Sequence, residues 1–157
     1  MSDCARDIMV QDFDSIDENA PVANAIEKIL AGKLRQTGYK TVSLMVVNEM
    51  QHLVGVVTMF DILYHLRPQY LNYGVEGNAV AWEGLMESAI HELKGKKVRQ
   101  IMSRDVMTAN ADDHVMAILD RMVKNKYRRL PVVHNGLLVG VVYIGDIFFY
   151  LFNNQAK

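Results

Sequence analysis

The apolar positions of this chain form two copies of one pattern. In residues 22–30, apolar side chains recur at i, i+3, i+4, i+7 and i+8, which predicts one apolar face of a helix. The same spacing returns 93 residues later, in residues 115–123. An Ile-Met pair precedes each helix at the same distance, as Ile8-Met9 and as Ile101-Met102. Matches at identical spacing indicate an internal duplication.

Each predicted helix is preceded by a short strand and followed by a β-hairpin and a second helix. The predicted strands contain valine-rich runs, and Asn135-Gly136 is a strong hairpin turn signal. The chain is therefore predicted to be α/β (α+β), with two strand-helix-strand-strand-helix modules at 1–67 and 97–157 and a joining segment at 68–96. The predicted elements are strands 15–17, 42–47, 53–57, 130–133 and 137–142, and closing helices 59–66 and 144–152.

The two copies differ in length. The shift between them falls from 93 residues before the hairpin to 85 after it, so the first copy carries eight extra residues, placed mainly in 32–40. In the joining segment, apolar residues at helical spacing from Trp82 to Leu93 predict a helix that stops at Gly95. This helix either packs on its own chain or contacts a partner through Trp82 and Met86.

Each copy closes its last strand on a short motif with polar chemistry. Residues 55–61 read GVVTMFD, and residues 140–146 read GVVYIGD. In the first motif the Thr58 hydroxyl and the Asp61 carboxylate share one face of a helix's first turn, at the carboxyl end of a strand, where ligands collect in α/β sheets. The same spacing is a capping box, which satisfies backbone amides and needs no ligand. The motif alone leaves both interpretations open.

Composition limits the classes of function. Half of the 157 residues are apolar and 22% are charged, which is ordinary for a globular protein with a core. The net charge of −1 at pH 7 gives no overall attraction to nucleic acid or to an anionic membrane. Cys4 is the only cysteine, which excludes an internal disulfide and a metal site built from cysteines. With no signal-like start and no uninterrupted membrane-spanning run, we expect a cytoplasmic protein.

Taken together, the two copies resemble a tandem pair of cystathionine β-synthase (CBS) domains. The resemblance rests on the Ile-Met pairs, the order of elements, the closing motifs and the run YRRLPVVHNGLLVGVVYIGDI at 127–147. It implies two modules packed sheet to sheet about a pseudo-twofold axis into a Bateman-type disc with two clefts. It also implies that AMP, ADP, ATP or S-adenosylmethionine lies in one or both clefts, with no cofactor and no catalysis, and that the pair regulates an attached or partner protein.

Residue types in the chain fit the parts of such a nucleotide. A carboxylate accepts hydrogen bonds from two vicinal ribose hydroxyls, which suits Asp61, and the Thr58 hydroxyl can contact the sugar or the first phosphate. Phosphates need cations, and Arg128 and Arg129 begin the second hairpin, where the resemblance places basic phosphate ligands. These four residues are the predicted polar contacts.

The adenine needs flat apolar walls, for which Val10, Ile16 and Tyr127 are the candidates. The second motif departs from the first, because Tyr143 replaces the expected serine or threonine and its ring would intrude where a sugar sits. We therefore expect one competent nucleotide site per chain, centred on the first motif, with the cleft of Tyr143 and Asp146 weak or empty.

The leading hypothesis is a non-catalytic regulatory module, a homodimer that binds an adenine nucleotide and senses energy or metabolite state for a partner protein. The alternatives are a structural dimerisation module without ligand, and binding of S-adenosylmethionine or nucleic acid. A stand-alone enzyme is disfavoured, because the sequence holds neither a G-x-x-x-x-G-K-[ST] loop nor an H-E-x-x-H zinc motif, and its five histidines are widely spaced.

Overall fold

The computed structural model describes residues 3–32, 34, 38, 40 and 42–153 of the chain. These residues form helices and strands in the order α1 (Ala5–Ile8), β1 (Ser15–Asp17), α2 (Val22–Leu30), β2 (Ser43–Val47), β3 (Leu53–Thr58), α3 (Met59–Leu66), α4 (Leu85–Gly95), β4 (Ala109–Asn110), α5 (Val115–Asn125), β5 (Arg129–His134), β6 (Leu137–Tyr143) and α6 (Ile144–Phe152). Most of the loop predicted to hold the extra residues, 32–40, lies outside the described part.

The two copies build two sheets of the same topology. In the first sheet β1 runs parallel to β2, and β2 pairs antiparallel with β3. The second sheet repeats this order with β4, β5 and β6. Each hairpin has a bulge at the corresponding place, between Val46 and Val47 and between Val132 and Val133. The predicted α+β fold of two similar modules is confirmed.

The helical faces explain why the copies fold as they do. On α2 the side chains of Val22, Ala25 and Ile29 are buried, and on α5 the corresponding Val115, Ile118 and Met122 are buried. The last position of each predicted apolar face is exposed: Leu30 is 72% exposed and Val123 is 62% exposed. Each helix therefore covers its sheet through about two turns, and the last apolar residue of each predicted face points to solvent.

The leading segment of each copy packs on the other copy. Ala5 and Ile8 belong to the hydrophobic core of the second sheet, while Ile101 and Met102 belong to that of the first. We call residues 5–10 and 101–107 the exchanged segments, and backbone hydrogen bonds fix both of them. Val10 and Val141 exchange a pair of 2.8 and 3.0 Å, and Val56 and Ser103 exchange a pair of 3.0 and 2.9 Å.

A glycine permits each of these exchanges. A Cβ atom on Gly55 would lie 2.7 Å from Met102 Sδ and 2.8 Å from the carbonyl oxygen of Ser103. A Cβ atom on Gly140 would lie 2.7 Å from Met9 Sδ. Gly55 is thus required because a backbone carbonyl of the crossing segment lies against its strand, whereas at Gly140 the crossing segment presents the Met9 side chain.

The joining segment returns to the first copy. Helix α4 contacts α2 and α3, and its Leu93 side chain is buried in the first core. The start of this helix stays open, with Leu85 44% and Met86 54% exposed, while the Trp82 indole donates to the carbonyl of Gly77. In the described part of the chain, none of the helices has the length and apolar character needed to cross a bilayer.

Candidate functional site

A cavity of about 470 Å³ lies between the two copies. One side is formed by the end of β3 and the first turn of α3, and the other by the turn that leads into β5. The segment after Met102 forms a third wall. The lining residues are Val42, Val56, Thr58, Met59, Phe60, Asp61, Ser103, Asp105, Val106, Met107, Lys126, Tyr127, Arg128, Arg129 and Pro131.

The structure brings five of the predicted site residues to this cavity. Thr58 and Asp61 come from the first copy, while Tyr127, Arg128 and Arg129 come from the second. The carboxylate and the two guanidinium groups therefore line one shared hollow, although 67 residues separate Asp61 from Arg128 in the sequence.

The structure does not bring Val10 and Ile16 to this cavity. Val10 pairs with Val141 of the second copy, and Ile16 is 5% exposed in the core of the first sheet. The exchange of leading segments is the reason, because the segment beside Asp61 belongs to the second copy. Val106 and Met107, on the segment that crosses from the second copy, line the cavity there instead.

The first turn of α3 is a complete capping box. Asp61 Oδ2 accepts hydrogen bonds from the Thr58 amide at 2.9 Å and from the Thr58 hydroxyl at 3.1 Å, and Thr58 Oγ1 accepts from the Asp61 amide at 3.2 Å. The capping interpretation of this motif is thus confirmed. It holds the carboxylate in one orientation at the edge of the cavity.

The second carboxylate oxygen joins the two copies. Asp61 Oδ1 accepts a hydrogen bond of 3.0 Å from the Ser103 hydroxyl, which lies on the exchanged segment. Sequence reasoning missed Ser103, although the shift of 93 residues maps it onto Val10, which was predicted to contact the ligand. The place beside Asp61 is therefore held by a polar residue of the second copy, and not by Val10 as expected.

The cations enter the cavity because α5 ends just before it. Lys126 caps this helix in the left-handed conformation, with φ 58°, and its amide donates to the carbonyls of Met122 and Val123. The chain then turns into β5 and places Lys126, Arg128 and Arg129 along the cavity wall. Asp105, on the exchanged segment, lines the same cavity. With Asp61, the described lining residues carry three cations and two carboxylates, which favours an anion at this end.

The closing motif of the second copy is built differently. Tyr143 makes no side-chain cap, is 6% exposed and packs in a small core with Met45, Val56 and Val141. It also borders a second cavity of about 420 Å³, whereas Asp146 is absent from the residues described as lining it. The tyrosine ring therefore occupies interior space that a threonine leaves open in the first copy.

Comparison with known proteins identifies the same duplication. A family model described as CBS domain matches residues 5–68 and 98–153. Among curated proteins, MJ1225 of Methanocaldococcus jannaschii is 25% identical over 151 residues, covering 96% of this chain and 44% of that protein. A homoserine O-acetyltransferase of Methanococcoides burtonii is 31% identical over 142 residues, covering 90% of this chain and 22% of that protein. This chain thus spans less than half of either relative.

Solved structures share the fold. The structure of MJ1225 superposes with a TM-score of 0.72 at 23% identity, over 95% of this chain and 48% of that chain. The structure of CBSX2 in complex with AMP superposes with a TM-score of 0.70 at 22% identity, over 97% of this chain and 98% of that chain. Two family matches coincide with the two sheets and their helices, and the chain therefore belongs to the CBS domain family, as a tandem pair of CBS domains.

Proposed function

We propose that the cavity between the copies binds an adenine nucleotide and that the chain is a non-catalytic regulatory module for a partner or attached protein. The observation that carries this proposal is the meeting of Asp61, from one copy, with Arg128 and Arg129, from the other, in one cavity of about 470 Å³. That volume lies within the range of about 300–1,000 Å³ typical of small-molecule sites. The AMP bound to the similar protein CBSX2 supports the choice of an adenine nucleotide.

The lining residues form three groups, one for each part of the nucleotide: ribose, adenine and phosphates. The ribose hydroxyls donate to Asp61, whose position is fixed by the capping box. The adenine lies against Val106, Met107 and the Tyr127 ring, which line the same hollow. The phosphates accept hydrogen bonds from the guanidinium groups, which present paired donors to phosphate oxygens.

Ser103 supplies a mechanism for regulation. In the structure its hydroxyl donates a hydrogen bond to Asp61 Oδ1 and so connects the exchanged segment to the start of α3. A ribose hydroxyl that takes this oxygen replaces a hydrogen bond between the copies with one to the ligand. The exchanged segment then has two arrangements, one with Ser103 bonded to Asp61 and one with this bond broken. The nucleotide shifts the equilibrium between them by its difference in affinity for the two.

Isothermal titration calorimetry with AMP, ADP, ATP and S-adenosylmethionine tests the proposal. We expect saturable binding of at least one adenine nucleotide, at one site per chain, because Tyr143 fills interior space in the second motif. Asp61→Asn should weaken binding about tenfold, since a neutral acceptor replaces a charged one, while the asparagine retains an oxygen for the cap. Asp120→Asn removes one carboxylate from α5, outside the cavity, and serves as the matched control.

The arginines are tested in the same way. Arg128→Gln and Arg129→Gln should each weaken nucleotide binding about tenfold, because a charge-assisted hydrogen bond to phosphate is lost. Arg99→Gln changes an exposed arginine outside the cavity and should leave binding unchanged. Equal binding by all of these variants would place the nucleotide elsewhere and refute the assignment.

A structural module without ligand is the second candidate. It is favoured by the capping box and the Ser103 contact, which together use both oxygens of Asp61 within the protein. On this hypothesis Asp61→Ala lowers the free energy of unfolding by about 1 kcal/mol, as loss of a cap does, and no ligand is lost. If titration with each of the four compounds gives no heat of binding, the structural module is supported.

We also propose that the module is a homodimer. Helices α3 and α6 leave large apolar side chains in solvent, with Phe60 72%, Leu63 52%, Phe148 62% and Phe152 61% exposed. Apolar faces of this kind mark contact surfaces in soluble proteins. The two helices hold equivalent places in the two copies, which suits a symmetric pairing of whole modules.

A further inference from the structure

Helix α4 carries an apolar stripe that is covered at one end and open at the other. At the covered end Leu93 is 4% exposed and packs in the core of the first copy, and Ala89 and Ile90 are partly buried. At the start of the helix Met86 is 54% and Leu85 is 44% exposed. Residues three and four apart share one helical face, so these side chains belong to one continuous stripe.

Trp82 extends the open end of this stripe by one turn. Its carbonyl oxygen accepts hydrogen bonds from the amides of Leu85 and Met86 at 2.9 and 3.3 Å. The indole N–H, the one polar group of the side chain, donates to the Gly77 carbonyl oxygen at 2.9 Å. The ring is therefore held in one orientation, and the 38% of Trp82 that is exposed presents apolar surface. We call Trp82, Leu85 and Met86 the open stripe.

The segment around the open stripe is negatively charged. Residues 68–93 contain no lysine or arginine and four exposed glutamates, Glu76, Glu83, Glu87 and Glu92. In the described part of the chain, none of these glutamates forms an ion pair. The remaining residues hold 17 Lys and Arg against 14 Asp and Glu, which gives them a net charge of +3. Negative charge is thus concentrated in the segment that carries the open stripe, where it attracts cations.

The duplicated fold does not account for this surface. The family match covers residues 5–68 and 98–153 and leaves 69–97 outside. Both sheets, each with three strands, are complete without this segment. The two modules need a connection, but a connection needs neither an exposed tryptophan nor an apolar stripe in solvent. Exposed apolar surface with a polar rim is typical of a contact with another protein.

We propose that the open stripe is a docking site for a basic amphipathic helix of a partner protein. The apolar side of that helix covers Trp82, Leu85 and Met86, and its lysine or arginine side chains lie against Glu83 and Glu87. Helices bind apolar surfaces through side chains three and four residues apart, and charges at the rim favour partners of opposite sign. None of the five residues lines the cavity between the copies, so the inference is independent of the nucleotide site.

Charge complementarity favours such a partner over a second copy of this chain. The helices that leave large apolar side chains in solvent elsewhere are α3 and α6, with Phe60 72% and Phe148 62% exposed. The sequences of both helices contain an aspartate and no lysine or arginine. Their faces therefore do not complement the glutamates beside the open stripe, whereas a basic helix does.

Trp82 is the only tryptophan of the chain, so its fluorescence reports directly on this surface. The whole chain is titrated with a tryptophan-free helical peptide of leucine and lysine, with the leucines on one face, and with the same peptide carrying glutamate for each lysine. We expect the lysine peptide to shift Trp82 emission to shorter wavelength with saturation, because the ring leaves water. The glutamate peptide should cause no shift. Binding should weaken as salt is raised, because ions screen charges at the rim.

Variants of the open stripe and its glutamates test the assignment. Glu83→Gln together with Glu87→Gln should weaken binding of the lysine peptide about fivefold, the size expected for two partly solvated charge pairs. Met86→Ser should also weaken it, because apolar contact is lost. Asp120→Asn removes an exposed carboxylate from α5 and is the control, which should leave binding unchanged.

Selective, saturable binding of the lysine peptide that is weakened in both stripe variants and kept in Asp120→Asn supports the docking site. Equal binding of the two peptides, no emission shift with either, or the same affinity in all variants refutes it. A second copy is tested by diluting the chain alone. If Trp82 emission then changes with protein concentration, and the double glutamate variant abolishes this change, a second copy covers the open stripe and the proposal is overturned.

Discussion

Replacement of Gly55 by alanine tests the exchange of leading segments on which the site depends. The added Cβ atom would lie 2.7 Å from Met102 Sδ and 2.8 Å from the Ser103 carbonyl oxygen. The sulfur can move, but the carbonyl is backbone and accepts a hydrogen bond of 3.0 Å from Val56. The exchanged segment must therefore shift as a unit, away from the strand that it pairs with.

The expected cost follows from two opposing effects. Overpacking of this kind destabilises by about 1–3 kcal/mol. Alanine also restricts the unfolded chain, which returns about 0.4–1 kcal/mol. We therefore expect Gly55→Ala to lower the free energy of unfolding by about 1–2 kcal/mol. The same substitution should weaken nucleotide binding, because the shifted segment carries Val106 and Met107 of the cavity lining.

Two other glycines provide matched controls. The three atoms nearest to a Cβ atom on Gly140 all belong to the flexible Met9 side chain, so Gly140→Ala should cost less than Gly55→Ala. A Cβ atom on Gly77 would have nothing within 4 Å, so Gly77→Ala should not destabilise the protein. Urea unfolding followed by circular dichroism gives the three values. A Gly55→Ala protein as stable as Gly77→Ala, or more stable than Gly140→Ala, would refute the close crossing.

Three further predictions concern pH, the Asp61 contact and assembly. The Tyr150 hydroxyl donates a hydrogen bond to Asp3, which raises the pKa of Tyr150 above its ordinary value. The resulting stabilisation is present below the ordinary tyrosine pKa and is lost as pH rises through the raised pKa. Asp3→Asn should therefore lower the Tyr150 pKa in an ultraviolet titration of phenolate absorbance. Ser103→Ala removes the protein donor that a ribose hydroxyl displaces from Asp61, so nucleotide affinity should rise about threefold in calorimetry, and a tenfold fall would show that Ser103 holds the ligand instead. Phe60→Glu places a charge on the exposed face of α3 and should convert dimers to monomers in sedimentation velocity, whereas an unchanged sedimentation coefficient would remove this face from the interface.

The local structure of both copies was predictable from the sequence. The closing helices at 59–66 and 144–152 and the strand at 15–17 lie where the apolar pattern places them. The reason is that a period of 3.6 or 2 residues reports which side of an element is buried. The meeting of Asp61 and Arg128 in one cavity could also be predicted, since Asp61 lies in the first turn of α3 and Arg128 in the turn before β5.

The pairing between copies could not be predicted in this way. Ile8 and Ile101 are recognisably apolar in the sequence, and both are buried. Their periodicity is the same whether each packs on its own copy or on the other, so the pattern does not choose between the two. The error at Val10 follows directly, because its position beside Asp61 is taken by Ser103.

The exchanged segments also bear on how such a chain could arise from a shorter one. A polypeptide with a single copy would have to obtain its missing edge contact from a second molecule, and its assembly would depend on concentration. Duplication and fusion place donor and acceptor on one backbone, where their effective concentration is set by the linker. Once linked, the two halves are free to diverge, as the equivalent residues Thr58 and Tyr143 have done here: the threonine caps α3 and lines a cavity, whereas the tyrosine packs into a small core.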